Sequence, residues 1–175
     1  MVNATNYDWT QFDLYYYYHA PLEQVWQAWT TPEGLCSFFV ETCTGYDASG
    51  NQLEPAQTFV PEGTYEWKWR QGFPGNGRII EVTAMKHLAL SFGASMQVNV
   101  HFLDTGSGVR VHLHQSNIPD SEAGRVIGHL NCRSCWIFFM TNLVSILNNG
   151  ADLRDDDEAR VSSMEVGFSP PENLN

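Results

Sequence analysis

EAGRVIGHLNCRSCWIFFMTNLVSILNN, residues Glu122 to Asn149, is the stretch on which the fold turns. Asp120 and Ser121 precede it after Pro119 and offer side-chain oxygens suited to an N-cap, while Glu122 puts a carboxylate in the positive first turn. Gly150 stands where a helix C′ residue favours positive φ. Residues at about 1.5 Å each make this stretch a rod of roughly 42 Å, long enough to cross a small domain. At a helical pitch, Gly128, Cys132, Cys135, Trp136, Phe139, Met140, Leu143, Ile146 and Leu147 share one side. Asn131, Ser134, Thr141, Ser145, Asn148 and Asn149 share the other. The first half of the apolar side is small, with Gly124, Gly128, Cys132 and Cys135. A helix-interior Gly costs about 1 kcal/mol relative to Ala, so two on neighbouring turns need a reason. Close backbone approach is one reason and space for a guest is another. We take the second as the expectation: a cavity beneath the N-terminal half of the helix.

The 175 residues fit one domain, and 43% hydrophobic with 13% aromatic content supplies a sizeable core. The longest apolar run, Cys135 to Met140, falls far short of the ~20 residues that cross a bilayer. The N-terminus, with Asn3, Asn6 and Asp8 and no basic region, does not read as a signal peptide. Four cysteines in such a chain are expected to sit reduced in the cytoplasm. A formal charge of −11 lacks the basic footprint that nucleic acid or an anionic membrane surface requires. Neither nucleic-acid binding nor membrane insertion is expected of this acidic protein.

Working outward from the rod, Phe12, Leu14, Tyr16 and Tyr18 alternate with Asp13, Tyr15 and Tyr17, a strand with one buried face. Pro21 to Thr30 spaces Leu22, Val25, Trp26 and Trp29 as a short helix, and Thr31-Pro32 opens a second one ending near Phe39. Val40 to Tyr46 is a further strand candidate. Asp47 to Glu62 is a long connection whose tip could act as a flap. Gly63 to Gln71 alternates Tyr65, Trp67 and Trp69 with Glu66, Lys68 and Arg70, and Gly72 to Gly77 reads as a hairpin connection. Strands follow at Arg78 to Met85, Leu88 to Phe92, Met96 to Leu103 and Val109 to Ser116. A strand, two short helices, about six strands in succession and one long helix make an α+β arrangement in which an antiparallel sheet must curve around the rod. The domain runs over 10–154, and the composition of 155–175, with Asp155, Asp156, Asp157 and Glu158, reads as an acidic solvated C-terminal tail.

The side chains that could carry chemistry divide between readings. Tyr65, Trp67 and Trp69 are cavity-wall candidates or plain core. Cys132 and Cys135 form a C-x-x-C, but mid-helix, where the dipole does not lower a thiol pKa; small buried cysteines are the default. His101, His112 and His114 project to the convex face, since Val98, Val100, Phe102, Val109, Val111 and Leu113 take the apolar one; solvated imidazoles are expected and no metal is assigned. His129 lies near the centre of the helix's cavity side, close to Trp136, positioned to hydrogen-bond a polar ligand atom or to face solvent. No activated nucleophile, phosphate loop or zinc-protease motif is present in the sequence, and no cofactor is implied. Outward Leu130, Ile137 and Phe138 leave an apolar strip that the tail or a second copy in a homodimer could cover.

Ala20-Pro21-Leu22-Glu23-Gln24-Val25-Trp26-Gln27-Ala28-Trp29-Thr30-Thr31-Pro32-Glu33 resembles the opening of the START-like superfamily, also called SRPBCC. Gly77 to Val82 resembles the middle strand, and Cys135-Trp136, Thr141-Asn142-Leu143 and Gly150-Ala151-Asp152-Leu153-Arg154 resemble the ending, of the branch named after activators of the 90-kDa heat-shock protein ATPase. One departure is Phe38-Phe39, where that family often carries Trp. The resemblance implies a helix-grip fold enclosing a hydrophobic cavity, with relatives among lipid carriers, polyketide cyclases, hormone receptors and co-chaperone domains. The function expected is binding of a small hydrophobic or aromatic ligand, with Tyr65, Trp67 and Trp69 as wall, Gly128 and Cys132 leaving room, and His129 and Trp136 orienting the guest. The alternatives are a cyclase- or hydrolase-like enzyme using His129 or Gln115 for proton transfer, and a co-chaperone-like regulator of a heat-shock protein ATPase. No catalytic residue is assigned.

Overall fold

The computed structural model describes residues 7–70, 72–155 and 157. Apart from Asp155 and Asp157, the acidic tail expected at 155–175 lies outside the described residues. Seven strands form one antiparallel sheet, β1 (Phe12–Tyr18), β2 (Thr42–Tyr46), β3 (Thr64–Lys68), β4 (Pro74–Thr83), β5 (His87–Phe92), β6 (Met96–Asp104) and β7 (Val109–Ser116), in the spatial order β1-β7-β6-β5-β4-β3-β2. Two short helices, α1 (Leu22–Thr30) and α2 (Pro32–Phe38), follow β1, and the terminal rod packs across the curved sheet. This is the helix-grip arrangement of an α+β domain.

Local chemistry accounts for the short helices. Pro21 is the N-cap of α1, and Thr31 caps α2: its hydroxyl accepts from Gly34 N–H at 3.0 Å and donates to Gln27 O at 2.9 Å, tying the second helix to the first. The carbonyls that α2 leaves free at its C-terminus are met from the far end of the chain. Arg154, buried, donates to Val40 O at 2.8 Å, Ser37 O at 2.9 Å and Cys36 O at 3.1 Å, and pairs with Asp152 at 2.6 Å. Buried Asn142 of the rod donates to Phe38 O at 3.0 Å and to Asp152 at 2.9 Å, and accepts from Leu153 N–H at 2.7 Å. The Gly150–Arg154 ending is thus a clasp that holds α2 to the rod.

The sheet differs from expectation in two places. The connection from Asp47 to Glu62 is no flap: Leu53 and Phe59 are buried, Phe59 N–H donates to Thr30 O at 2.8 Å, and Glu33 N–H donates to Pro55 O at 2.9 Å. The hairpin expected over Gly72 to Gly77 is shorter, because Pro74 to Gly77 already belong to β4. Their pairing explains it. Tyr65 stands opposite Gly77 and Trp67 opposite Gly75, so each aromatic ring lies over a neighbour without a side chain. A Cβ on Gly75 would come 2.2 Å from Trp67 Nε1, and one on Gly77 would come 2.5 Å from the Tyr65 hydroxyl.

The rod has two parts, a π-helical segment Gly124–Asn131 and an α-helix, α3, over Cys132–Leu147. The Cys132 N–H reaches back five residues to Ile127 O. Ser121 supplies the N-terminal cap, accepting from Gly124 N–H at 3.1 Å, while Asp120 turns to Arg125 at 2.7 Å. At the far end positive φ falls on Asn149, at 57°, and not on Gly150. By length and composition alone the rod could cross a bilayer, but Trp136, Phe139, Met140 and Leu143 are buried against the sheet as in a core helix. Phe138, expected to face outward, is buried too; it lies one turn before Asn142, on the side clasped to α2.

Candidate functional site

The inner face of β3 carries Tyr65 and Trp67, both buried, and its aromatic alternation continues to half-buried Trp69. The Tyr65 and Trp67 rings are stacked at 4.0 Å, and Trp69 meets Trp67 edge-on at 5.6 Å. Facing them, Trp136 of α3 stacks on Phe39 at 4.8 Å and 17°, and Phe39 meets Trp67 edge-on at 5.3 Å. Phe92 closes the group at 5.5 Å from Trp136, and Trp29 of α1 stacks behind Trp136 at 5.9 Å. The Tyr65 hydroxyl donates to Ser91 O at 2.5 Å, and burial pushes its pKa upward, so the phenol is neutral. The structure thus brings Tyr65, Trp67, Trp69 and Trp136 together. Sequence reasoning missed Trp29, Phe39 and Phe92 as members of the same group. The facing glycines, Gly75 and Gly77, were the available signal, and they read instead as a turn.

Polar satisfaction within this aromatic group is uneven. Trp136 Nε1 donates to Gln115 Oε1 at 2.8 Å, and the Gln115 amide donates in turn to Gly128 O at 3.1 Å and to Met96 Sδ at 3.2 Å. Gln115 is fully buried and joins β7 to both parts of the rod. By contrast, Trp29 Nε1 and Trp67 Nε1 are buried with no acceptor among the described residues.

Two of the expected ligand contacts are corrected. Gly128 leaves no room: a Cβ there would lie 2.7 Å from Ile118 Cγ2 and 3.3 Å from Met96 Sδ, and Gly124 stands likewise against Pro119 O. These glycines mark close approach of the rod to the chain after β7. His129 does not face a guest either. Only 1% exposed, it meets the Tyr7 hydroxyl through Nε2 at 2.8 Å and Trp9 O through Nδ1 at 3.1 Å. The rings of Tyr7, Trp9 and Phe12 all lie edge-on to it at 5.2 Å. An i→i+5 turn takes one residue more than an α turn, yet Gly124, Gly128 and His129 still face inward as an α projection has them, onto protein and not onto a guest. Burial is the main cause of a lowered His129 pKa, with the Trp9 hydrogen bond opposing it; the imidazole is neutral at pH 7.

The thiols are inert. Burial pushes Cys135 up to about 12, with Cys132 beside it adding to the shift, and Cys132 is also raised, its contact with Gln115 only partly compensating. The C-x-x-C therefore holds no activated thiolate. On the outer face the histidines stand as expected, His101 directly opposite His112 and Asp13 opposite His114. Among the described residues no three His, Cys, Asp or Glu side chains are already gathered as a metal cage.

This arrangement has known counterparts. No curated protein matches the chain. Among solved structures it is similar to protein SSP2350 from Staphylococcus saprophyticus, at 18% identity and a TM-score of 0.63 over 82% of this chain and 96% of that one. It is similar to the Aha1 dimer from Colwellia psychrerythraea, at 15% identity and a TM-score of 0.62 over 80% of this chain and 97% of that one. DynU16, a protein in the dynemicin biosynthetic locus, superimposes at 15% identity with a TM-score of 0.65 over 84% of this chain and half (50%) of that one. At these identities the likeness is one of fold. Residues 19–148 match the family described as Activator of Hsp90 ATPase homolog 1-like protein, and with that match spanning most of the sequence the chain belongs to this START-like family.

Proposed function

We propose that this protein binds a small hydrophobic or aromatic molecule bearing a hydrogen-bond acceptor, against the inner aromatic face of β3 to β5 and Trp136. The observation that carries the reading is the pair of buried indole N–H groups, Trp29 Nε1 and Trp67 Nε1, without acceptors among the described residues. Leaving a buried donor unmade costs about 1–3 kcal/mol, so two in one aromatic group call for acceptors from outside the chain. Tyr65, Trp67, Trp69 and Trp136 supply large apolar ring surfaces, the composition of small-molecule sites. Cys132 edges the same region beside Gln115. Gly128 and His129 build the surrounding fold and are not ligand contacts. A reducing cytoplasmic setting fits four free cysteines.

Native mass spectrometry of protein purified from its own host tests for a co-purifying molecule. Fluorescence titration with fluorenone and with fluorene, which differ in one carbonyl, tests the acceptor. Trp67→Phe keeps a ring and deletes the donor; it should weaken fluorenone about tenfold more than it weakens fluorene. Equal effects on both, or no binding of either by the parent protein, would remove the reading.

The family description favours a second reading, regulation of a heat-shock protein ATPase; failure of the purified protein to stimulate that ATPase eliminates it. The enzymatic reading has less support, because the candidate proton carriers Gln115 and His129 spend their side-chain polar atoms on protein contacts. Exposed Val126, Ile127 and Leu130 on the π-helical segment support a homodimer through that strip, which a monomeric mass in sedimentation equilibrium would exclude.

A further inference from the structure

We infer that the convex face of the sheet holds a second site, in which His101 and His112 together bind one divalent transition ion such as Zn²⁺, Ni²⁺ or Cu²⁺. His87, His101 and His112 occupy one row across β5, β6 and β7, each directly opposite the next, with Tyr15 of β1 completing the row. Their rings stand nearly parallel: Tyr15 to His112 at 4.4 Å, His112 to His101 at 5.7 Å, His101 to His87 at 4.2 Å.

The spacing selects one pair. A metal sits about 2.0–2.1 Å from a ligating nitrogen and therefore about 3.2 Å from that ring's centroid, so two imidazoles on one ion have centroids roughly 4.5–6.4 Å apart. His101 and His112 fall inside that window, and His87 and His101 fall below it. His87 is also committed, through Nδ1 to Glu81 at 3.2 Å and through Nε2 to Asn99 Oδ1 at 3.2 Å. His101 is exposed, and neither of its ring nitrogens has a hydrogen-bond partner among the described residues.

His112 is prepared from behind. Asp13 Oδ1 accepts from His112 Nε2 at 2.6 Å, which leaves the Nδ1 lone pair as the ligand, the carboxylate–histidine–metal order found behind metal-bound imidazoles. The same oxygen holds His114 through Nδ1 at 3.1 Å. Rotation about χ2, which is broad for histidine, brings the two nitrogens into the gap between the plates. Imidazole donors suit Zn, Ni and Cu and not Mg or Ca, and two ligands leave the remaining positions to water. No residue of the inner aromatic face takes part, so this site stands or falls independently of the ligand reading.

Calorimetric titration of the full chain, prepared without an affinity tag, with Zn²⁺ and separately Ni²⁺ tests the proposal. One ion per chain is expected. His101→Ala and His112→Ala should each weaken binding at least tenfold, and Asp13→Asn about ten- to a hundredfold. His19→Ala, on an exposed histidine outside the row, should bind as the parent does. All four positions lie on the surface, and unchanged melting in the presence of a chelator verifies folding. Absence of stoichiometric binding by the parent, retention of affinity in His101→Ala, or an equal loss in His19→Ala would overturn the assignment.

Discussion

Replacing Gly128 by Ala distinguishes a packed rod from one held over a void, because the two arrangements predict opposite signs. A new Cβ would lie 2.7 Å from Ile118 Cγ2 and 3.3 Å from Met96 Sδ. Ile118 is buried at 2% exposure, so its methyl has little freedom to retreat. Overpacking of this kind costs about 1–3 kcal/mol. Removing a helix-interior glycine returns about 1 kcal/mol. The expected result is a net loss of roughly 1 kcal/mol and a melting temperature lower by about 2–4 °C for a chain of this length. Over open space only the propensity gain would operate, and the variant would be more stable by about 1 kcal/mol. Gly128→Leu, with three further carbons directed at the same contact, should lose more than 3 kcal/mol. Urea unfolding followed by tryptophan fluorescence, with the m-value checked for constancy, measures both. A stabilised Ala variant, or a Leu variant within 1 kcal/mol of the parent, would refute the close-approach account.

Arg154→Met strands Asp152 and three backbone carbonyls; the cost should be about 3 kcal/mol, the low end for a broken buried pair because Asp152 keeps some solvent contact, and chemical denaturation reads it. Burial raises the Asp152 pKa, but hydrogen bonds from Arg154 and Asn142 outweigh it and hold the carboxyl below its ordinary 3.8. The ion-pair part of the clasp's contribution should therefore be constant above about pH 5 and be lost as pH falls through the folded-state value, and a pH series in which Arg154→Met loses that acid-side slope checks it. Gln115→Leu leaves the Trp136 indole N–H and the Gly128 carbonyl without their partner and should cost about 2–3 kcal/mol in the same denaturation assay. Cys43 and Cys135 are both raised by burial from 9.0 to about 12, so the unfolded thiols ionise first, and stability should decline between pH 9 and 12; at pH 8 both should resist a chromogenic disulfide reagent until the protein unfolds.

Strand existence and order were legible because alternation is a strong local signal. The bounds of β1 and β7 match the apolar alternation of Phe12–Tyr18 and Val109–Ser116 residue for residue. Non-local effects were not legible. Nothing near Pro74 to Gly77 in the chain announces that Tyr65 and Trp67 will lie over those glycines; only the β3–β4 register does so. The π-helical segment is equally silent in sequence, and so are the partners of inward-facing His129, Tyr7 and Trp9, which come from the opposite end of the chain. The clasp residues were visible as a resemblance, yet their work, satisfying carbonyls of Cys36, Ser37, Phe38 and Val40, required the three-dimensional structure.

Glycine is the common thread in what was misread, and the physical reason is general. A missing side chain states that a neighbour comes close, and leaves unsaid whether that neighbour is backbone, protein side chain or guest. At Gly124 it is the Pro119 carbonyl, at Gly128 the Ile118 methyl, and at Gly75 and Gly77 the rings of Trp67 and Tyr65. The first two fix the rod to the chain after β7. The second two let aromatic rings lie flat on the sheet, where one indole N–H is left without an acceptor among the described residues. On the proposed reading, what a ligand would supply is therefore a hydrogen-bond acceptor, and not filling of a volume beneath the π-helical segment. Trp67→Phe and Gly128→Ala separate the two: the first should weaken acceptor-bearing ligands selectively beside the stability cost of a smaller buried ring, and the second should lower stability with little change in affinity.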